Sequence, residues 1–463
     1  MKSEKSVFDF SDFFTFYEEK CEKRVEKFRV SDIIKKKLHC GASVERNRRN
    51  ASMETEGSKK NKPLWLRIIK WFFVSVAGMV AVVLFTVVLL WQNEIRTLLS
   101  VEEIRPRDAE HHDGAVYYVD VRGGFYLNDL MEQGGISSDG ELADFVVNRL
   151  TKGLAKNLKI STPDYGCASF TATAADGDAL FARNYDNDET NTCIVRTHAR
   201  KGRHATISTA DLSFVGIKPE KGIQGIMDKA LCLAVPYLTL DGVNDAGVSC
   251  CINMTYQGGG DGGTAVATNQ NTEKPDMTST LMLRMILDYA DDLEEAIEIV
   301  QRYDLHDSAH TSFHYMVADA SGRSAILEWV CGDDITDNDG SARKLVVTYN
   351  DADAQIGVAE GSAEYQWMTN YIIQPGYYPS DKEKLGFDRY RRIEEVLGAS
   401  DGVVQDEWEA MNLLGQIARR NWKPGQHAYT PHSAVYNLTE RSVLWVSNEN
   451  FEDETAIFEF RVK

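Results

Sequence analysis

GCASFTATAADGDALFARNYDND, residues 166–188, decides the fold. Apolar and small residues alternate on both sides of Asp176-Gly177, and an Asp-Gly pair supplies the positive φ that a tight hairpin needs. If these two residues are the centre of the turn, Cys167 lies opposite Asp186, with Cβ atoms about 4.5–5.5 Å apart. Arg183 lies one pleat back. A thiol, a guanidinium and a carboxylate would then gather at the open end of one hairpin, and a nearby cation favours the nucleophilic thiolate. Arg183 and Asp186 differ by three positions, so both reach Cys167 only if the strand bulges or ends at Asn184-Tyr185. Taken alone, the hairpin is also compatible with a buried structural cysteine beside an ion pair.

Further hairpins follow. FHYMVADASGRSAILEWV (313–330) turns near Ser321-Gly322, and HSAVYNLTERSVLWVSNEN (432–450) makes another. Between them, MTSTLMLRMILDYADDLEEAIEIVQRY (277–303) reads as one helix starting near the Ser/Thr cluster at 278–280, with two more at GFDRYRRIEEVLG and QDEWEAMNLLGQIARR. Hairpins interspersed with helices predict an α+β layered architecture, sheets covered by helices. Upstream, VYYVDVRGGFYLN reads as a strand entering a Gly turn, and ELADFVVNRLTKGLAKNL has helical spacing. The Gly-rich stretch 255–277 lacks the strand–GxxxxGK–helix context of a phosphate loop and reads as a surface or rim loop.

The chain has 463 residues and a net charge of −19, which argues against a nucleic-acid partner, since phosphate contacts need clustered Lys and Arg. The charge is uneven. Through Lys70 there are 18 Lys and Arg against 11 Asp and Glu, giving +7 and leaving −26 for the rest. The two parts meet at WFFVSVAGMVAVVLFTVVLLWQN (71–93), uncharged and long enough for a bilayer core of about 20 apolar residues, with Trp71 and Trp91 at its ends. The roughly 70 residues in front argue against a cleaved signal peptide. Basic flanking residues precede the span, so the N-terminus is expected in the cytoplasm and the body outside. In the tail, Phe8–Val30 is compatible with a helix, a membrane-surface amphipathic one included, and equally with a partly disordered tail, and Asn47–Asn61 reads as disordered. Of eight cysteines, six lie in the outer part, widely spaced and without CxxC, suggesting neither a zinc ribbon nor a dense disulfide framework. His310 and His314 fall on a strand, where a spacing of four does not build a metal site.

The 166–188 stretch resembles the opening of the choloylglycine hydrolase family, which holds bile salt hydrolases, penicillin V acylases and acid-ceramidase-like amidases. The spacings from Cys167 to Arg183 and Asp186 match that family. The likeness continues through DGVNDAGVSCCINMTY, FHYMVADASGRSAILEW, LVVTYND, FDRYRR and AVYNLTERSVLW, in order over roughly 167–460. It implies a four-layer αββα sandwich of the N-terminal-nucleophile (Ntn) hydrolases and hydrolysis of a linear, non-peptide C–N amide bond. Cys167 would be the nucleophile and its own α-amine the base. Asn253 would donate to the oxyanion, and Arg183 and Asp186 would orient the cysteine. Asn350 and Arg389 match the remaining polar positions, although Tyr349 intervenes between Thr348 and Asn350, where the family's motif keeps Asn directly after Thr. No cofactor or metal is implied. Asn253 also begins an Asn-Met-Thr sequon.

Here 166 residues precede the cysteine, so the resemblance implies cleavage at Gly166-Cys167. The expected organisation is a cytoplasmic tail (1–62), a transmembrane helix with flanks (63–94), an upstream subunit packed on the catalytic domain (95–166) and the amide hydrolase domain (167–463). An N-acyl amide, a bile-salt conjugate and a penicillin V-like amide are all compatible substrates, and homo-oligomers are left open. Two alternatives remain: an uncleaved membrane-tethered binding or sensor protein of the same fold, and a cysteine peptidase pairing Cys167 with His314 or His427.

Overall fold

The computed structural model describes residues 63–152, 166–258, 265–350, 365–419 and 429–463. The tail helix Phe8–Val30, the segment Asn47–Asn61 and His427 lie outside the described residues.

The apolar segment forms a helix, Leu64–Leu90, with no buried residue and a mean hydropathy of 2.8 over its most apolar window. By length and composition it can cross a membrane. It starts seven residues before Trp71. It also ends at Leu90, because the next helix, Gln92–Ser100, starts after Trp91. The Trp91 indole N–H donates to the Leu150 carbonyl at 2.7 Å.

The body contains two packed sheets. The larger has nine strands in the order β1-β2-β5-β6-β7-β8-β11-β12-β13. These are β1 (Glu102–Arg105), β2 (Val116–Asp120), β5 (Thr192–Thr197), β6 (Thr206–Asp211), β7 (Asp241–Asn244), β8 (Ser249–Met254), β11 (Phe313–Ala318), β12 (Ser324–Val330) and β13 (Lys344–Tyr349). The smaller runs β14-β3-β4-β16-β17-β18, with β15 added on β3. Its strands are β3 (Gly166–Ala174), β4 (Ala179–Asn187), β14 (Trp367–Met368), β15 (Val403–Val404), β16 (Tyr429–Asn437), β17 (Ser442–Ser447) and β18 (Ile457–Arg461). A separate parallel pair joins β9 (Asp276–Thr278) to β10 (Asp304–His306).

Strand alternation divides the core into layers. On β8, Cys250 meets the helix Ser279–Tyr289 through its carbonyl at Leu283, whereas Cys251 faces Ser169 of the other sheet. On β4, Asn184 turns outward and donates to Leu414 in the helix Glu407–Gln416. Helices therefore cover the outer face of each sheet, giving the αββα order expected of an Ntn-hydrolase fold. The hairpins at Gly322 and in β16–β17 form as expected.

Two expectations change. The helix expected over 277–303 is two helices, Ser279–Tyr289 and Leu293–Gln301. Ala290 is extended, and the Asp292 carboxylate caps the second helix by accepting from Glu295 N–H, which an Asp before an apolar run favours over continuation. The first hairpin is shifted by one. Its loop spans three residues, Ala175-Asp176-Gly177, closed by Ala174 N–H to Asp178 O at 2.8 Å, with Gly177 at φ +98°. Cys167 consequently pairs with Tyr185, and Gly166 with Asp186.

Candidate active site

A slip of one residue moves every side chain to the other face, and the site is built on that slip. Cys167, Ser169, Arg183 and Tyr185 point into the space between the sheets. Asp186 points the other way. Strand β4 stays paired through Asn187 and needs no bulge at Asn184-Tyr185. Arg183 and Asp186 thus flank Cys167 from opposite sides of the sheet instead of meeting at its thiol.

Between the sheets, the Arg183 guanidinium is fully buried and divides its donors. Nη2 reaches Cys167 Sγ at 3.1 Å and the Ile252 carbonyl at 2.7 Å, and Nη1 pairs with Asp241 Oδ2 at 2.6 Å and the Leu240 carbonyl. Asp241 also accepts from Tyr436 Oη and contacts His432 Nε2 at 2.9 Å. Burial alone would raise the Asp241 carboxyl, but His432 and Arg183 outweigh it and hold it well below the usual carboxylate range. His432 is stacked between Tyr185 and Trp445. For Cys167 the balance tips the other way. Burial pushes the thiol up by more than Arg183 pulls it down, with Asp186 adding to the rise. The balance favours the neutral thiol over the thiolate, even beside this cation.

On the other face, Arg389, in the first turn of the helix Phe387–Ala399, pairs with Asp186 Oδ2 at 2.5 Å and donates to Asn370 Oδ1 at 2.5 Å. Thr430 Oγ1 donates to Asp186 Oδ1 at 2.7 Å. Asn370 completes the group. Its Oδ1 accepts the main-chain N–H of Cys167 at 3.1 Å, and its Nδ2 donates to the Met254 carbonyl at 2.7 Å. The short strand β14 does the positioning: Trp367 and Met368 pair with Phe170 and Ser169, carrying Thr369-Asn370 toward the start of β3, beside Cys167. A Cβ on Gly166 would sit 3.2 Å from Asp186 Oδ2 and 3.6 Å from Asn370 Oδ1, so a bare glycine fits this junction best.

Asn253 is fully buried on β8, in the same inter-sheet layer as Cys167. Ser169 Oγ donates to its Oδ1 at 3.2 Å, and its Nδ2 reaches the Thr369 carbonyl at 3.4 Å. Full burial leaves no room for a glycan on its amide in the folded protein. His314 lies beside it, with Nδ1 3.0 Å from Glu328 Oε1 and Nε2 2.9 Å from the Thr369 carbonyl, so both ring nitrogens are engaged away from Cys167.

Asn350 is elsewhere. It ties off the β11–β12 turn, its Oδ1 accepting from Ser324 N–H and its Nδ2 donating to the Gly322 carbonyl, both at 2.9 Å. Ser324 pairs with Ala318, at the far end of the strand from His314. The asparagine that touches Cys167 is Asn370, which follows Thr369 directly. Asp241, Tyr436 and His432 were also missed. Asp241 opens the quoted DGVNDAGVS stretch, but nothing local announces its partners.

Residues 167–373 match the family model of linear amide C–N hydrolases, choloylglycine hydrolase family. No curated protein matches the chain. Among solved structures, similar chains include penicillin V acylase from Agrobacterium tumefaciens (16% identity, 61% of this chain and 83% of that one, TM-score 0.38). A mutant conjugated bile acid hydrolase from Clostridium perfringens is also similar (13% identity, 64% and 97%, TM-score 0.38). So is the Caenorhabditis elegans ortholog of N-acylethanolamine-hydrolyzing acid amidase (14% identity, 59% and 93%, TM-score 0.33).

Proposed function

We propose, from the match of residues 167–373 to the family model of linear amide C–N hydrolases, that this chain is such a hydrolase and that Cys167 is an N-terminal nucleophile released by cleavage of the Gly166-Cys167 bond. The supporting observation is the pair of contacts at Cys167: Arg183 at its sulfur and Asn370 at its nitrogen. In the intact chain the thiol would attack the Gly166 carbonyl. An N-to-S acyl shift would break the peptide bond and free the amine, and water would hydrolyse the thioester.

The exposed amine, with an ordinary pKa of about 7.7–8.0, is then suited to take the thiol proton. The sulfur attacks the substrate's amide carbonyl, and Asn253 or Asn370 donates to the oxyanion. Collapse expels the substrate amine, which takes the proton back, and water hydrolyses the acyl-enzyme. Arg183 steadies the sulfur's negative charge, while Asp186 and Arg389 hold Asn370 in place. The substrate we propose is an N-acyl amide of the bile-salt-conjugate, penicillin V or N-acyl-amine type.

The mature protein in this reading has two pieces, a membrane-anchored piece through Gly166 and a catalytic piece from Cys167. The tail 1–62 is cytoplasmic and the body lies outside, consistent with the basic residues before the helix Leu64–Leu90. Intact mass and N-terminal sequencing of wild type and Cys167→Ala test the central claim. A fragment beginning at Cys167, absent from the variant, supports it. An uncut chain in both transfers the weight to an uncleaved binding protein. Protease protection in sealed cells tests the orientation.

A further inference from the structure

A cavity of about 530 Å³ opens beside the segment that follows the apolar helix. Asn93, Glu94 and Thr97 form one wall, beginning three residues past the helix end at Leu90. Three residues span at most about 10 Å, and the headgroup zone of a bilayer is about 5–8 Å deep on each side. If the helix crosses a membrane, chain length alone keeps Asn93, the first residue of that wall, within about 10 Å of the span's end.

Its charge is distinctive in a body of −26. Arg122, Arg200, Lys201 and Arg203 line it, against Glu94 and Asp129. Both acids are already matched, Glu94 by Lys152 at 3.5 Å and Asp129 by Arg149 at 3.3 Å. Arg122 is matched by Asp120 and Arg203 by Asp288. Arg200 and Lys201 sit exposed on the β5–β6 turn, and neither forms an ion pair among the described residues. The guanidiniums of Arg200 and Arg203 lie 3.9 Å from where a Cβ on Gly124 would be, and Arg203 Nη1 donates to the Gly124 carbonyl at 3.2 Å, so both cations pack against this bare backbone. That turn is unusual. Gly123, Phe125 and Tyr126 all have positive φ, at 80°, 35° and 56°. The neighbouring wall holds it there: Arg122 N–H donates to Thr97 Oγ1, and Tyr126 Oη bonds Glu94. Backbone strain that the surroundings over-determine is a mark of functional sites.

We propose that this cavity binds a phosphate-bearing anion, and that its source is the headgroup of an anionic membrane phospholipid. The lipid source rests on the membrane-anchored reading; the anion site does not. Arg200 and Lys201 supply the unmatched charge.

The test uses the full chain in detergent micelles, with native mass spectrometry and titrated phosphatidylglycerol, phosphatidylcholine or inorganic phosphate. Wild type is compared with Arg200→Ala/Lys201→Ala, whose exposed positions leave the fold intact. Lys59→Ala/Lys60→Ala, on the other side of the apolar helix, is the control for general attraction. One phosphatidylglycerol should be retained by wild type and by the control, and bound about thirtyfold more weakly by the Arg200/Lys201 variant, at roughly 1 kcal/mol for each of the two basic residues near a surface. Phosphatidylcholine should bind more weakly than phosphatidylglycerol throughout. Equal retention by wild type and the Arg200/Lys201 variant would overturn the proposal. Inorganic phosphate competing as well as the lipid would keep the anion site and overturn its lipid source. A chain that stays soluble without detergent would sink the membrane reading, while the phosphate titration would still decide the site.

Discussion

The main-chain N–H of Cys167 donates to Asn370 Oδ1 at 3.1 Å, across 203 positions of sequence. Cleavage before Cys167 would turn that nitrogen into the catalytic amine, already located by Asn370. Asn370→Ala should therefore lower kcat by about 10²–10³, the range for losing one preorganised polar group at the reacting centre. Amide hydrolysis by the variant, corrected for the fraction of chain starting at Cys167, checks this. Unchanged kcat would remove Asn370 from the site.

Asn350→Ala should behave differently. The side chain stitches a turn, so its loss should cost about 1–3 kcal/mol of stability through unsatisfied Ser324 and Gly322 groups, with kcat per folded molecule unchanged. Denaturant unfolding beside an activity assay separates the two effects.

Asp241 is the buried counter-charge of Arg183. Asp241→Asn leaves that cation unpaired and should destabilise the protein by about 3–5 kcal/mol at neutral pH. The sign of the pH dependence follows from the depressed carboxyl. Its contribution is complete above the unfolded value of about 3.9 and is lost as pH falls through the lower folded value. The gap between wild type and variant should be flat above about pH 5 and should narrow below about pH 4. Unfolding free energies at a series of pH values measure it, and a gap that widens in acid would contradict the assignment.

Gly166→Ala places a Cβ against Asp186 and Asn370. It should slow release of the Cys167 fragment without unfolding the body. Because burial keeps the thiol neutral, release in wild type should accelerate from about pH 6 to 9 as the thiolate fraction grows. Timed gels of freshly made chain read both effects, and a pH-independent rate would argue against thiolate attack.

Local patterns made the hairpins, their strand alternation and the Cys167–Arg183 pair readable, because positive-φ turns and period-two burial are written in adjacent residues. The register of the first hairpin was not. Asp176-Gly177 fits a two-residue and a three-residue loop equally well, and only the closing bond from Ala174 to Asp178 decides. Asn370 was hidden for a different reason. Strand β14 has two residues, too few for any periodicity, and its partner lies some 200 positions upstream. His432 and Asp241 meet only when the sheets stack, so no spacing along the chain foretells their contact.

The one-residue register has a consequence for direction. Downstream of the Gly166-Cys167 bond, β3 makes seven pairs with β4, from Cys167–Tyr185 to Thr173–Ala179; Gly166 makes one, with Asp186. A break there would leave the new end at Cys167 held by seven of these pairs and the end at Gly166 by one. The carboxylate made at Gly166, with one strand pair, would have more freedom than the amine at Cys167, and rejoining would require it to return to a single alignment. The junction would then act as a ratchet, easier to pass than to reverse.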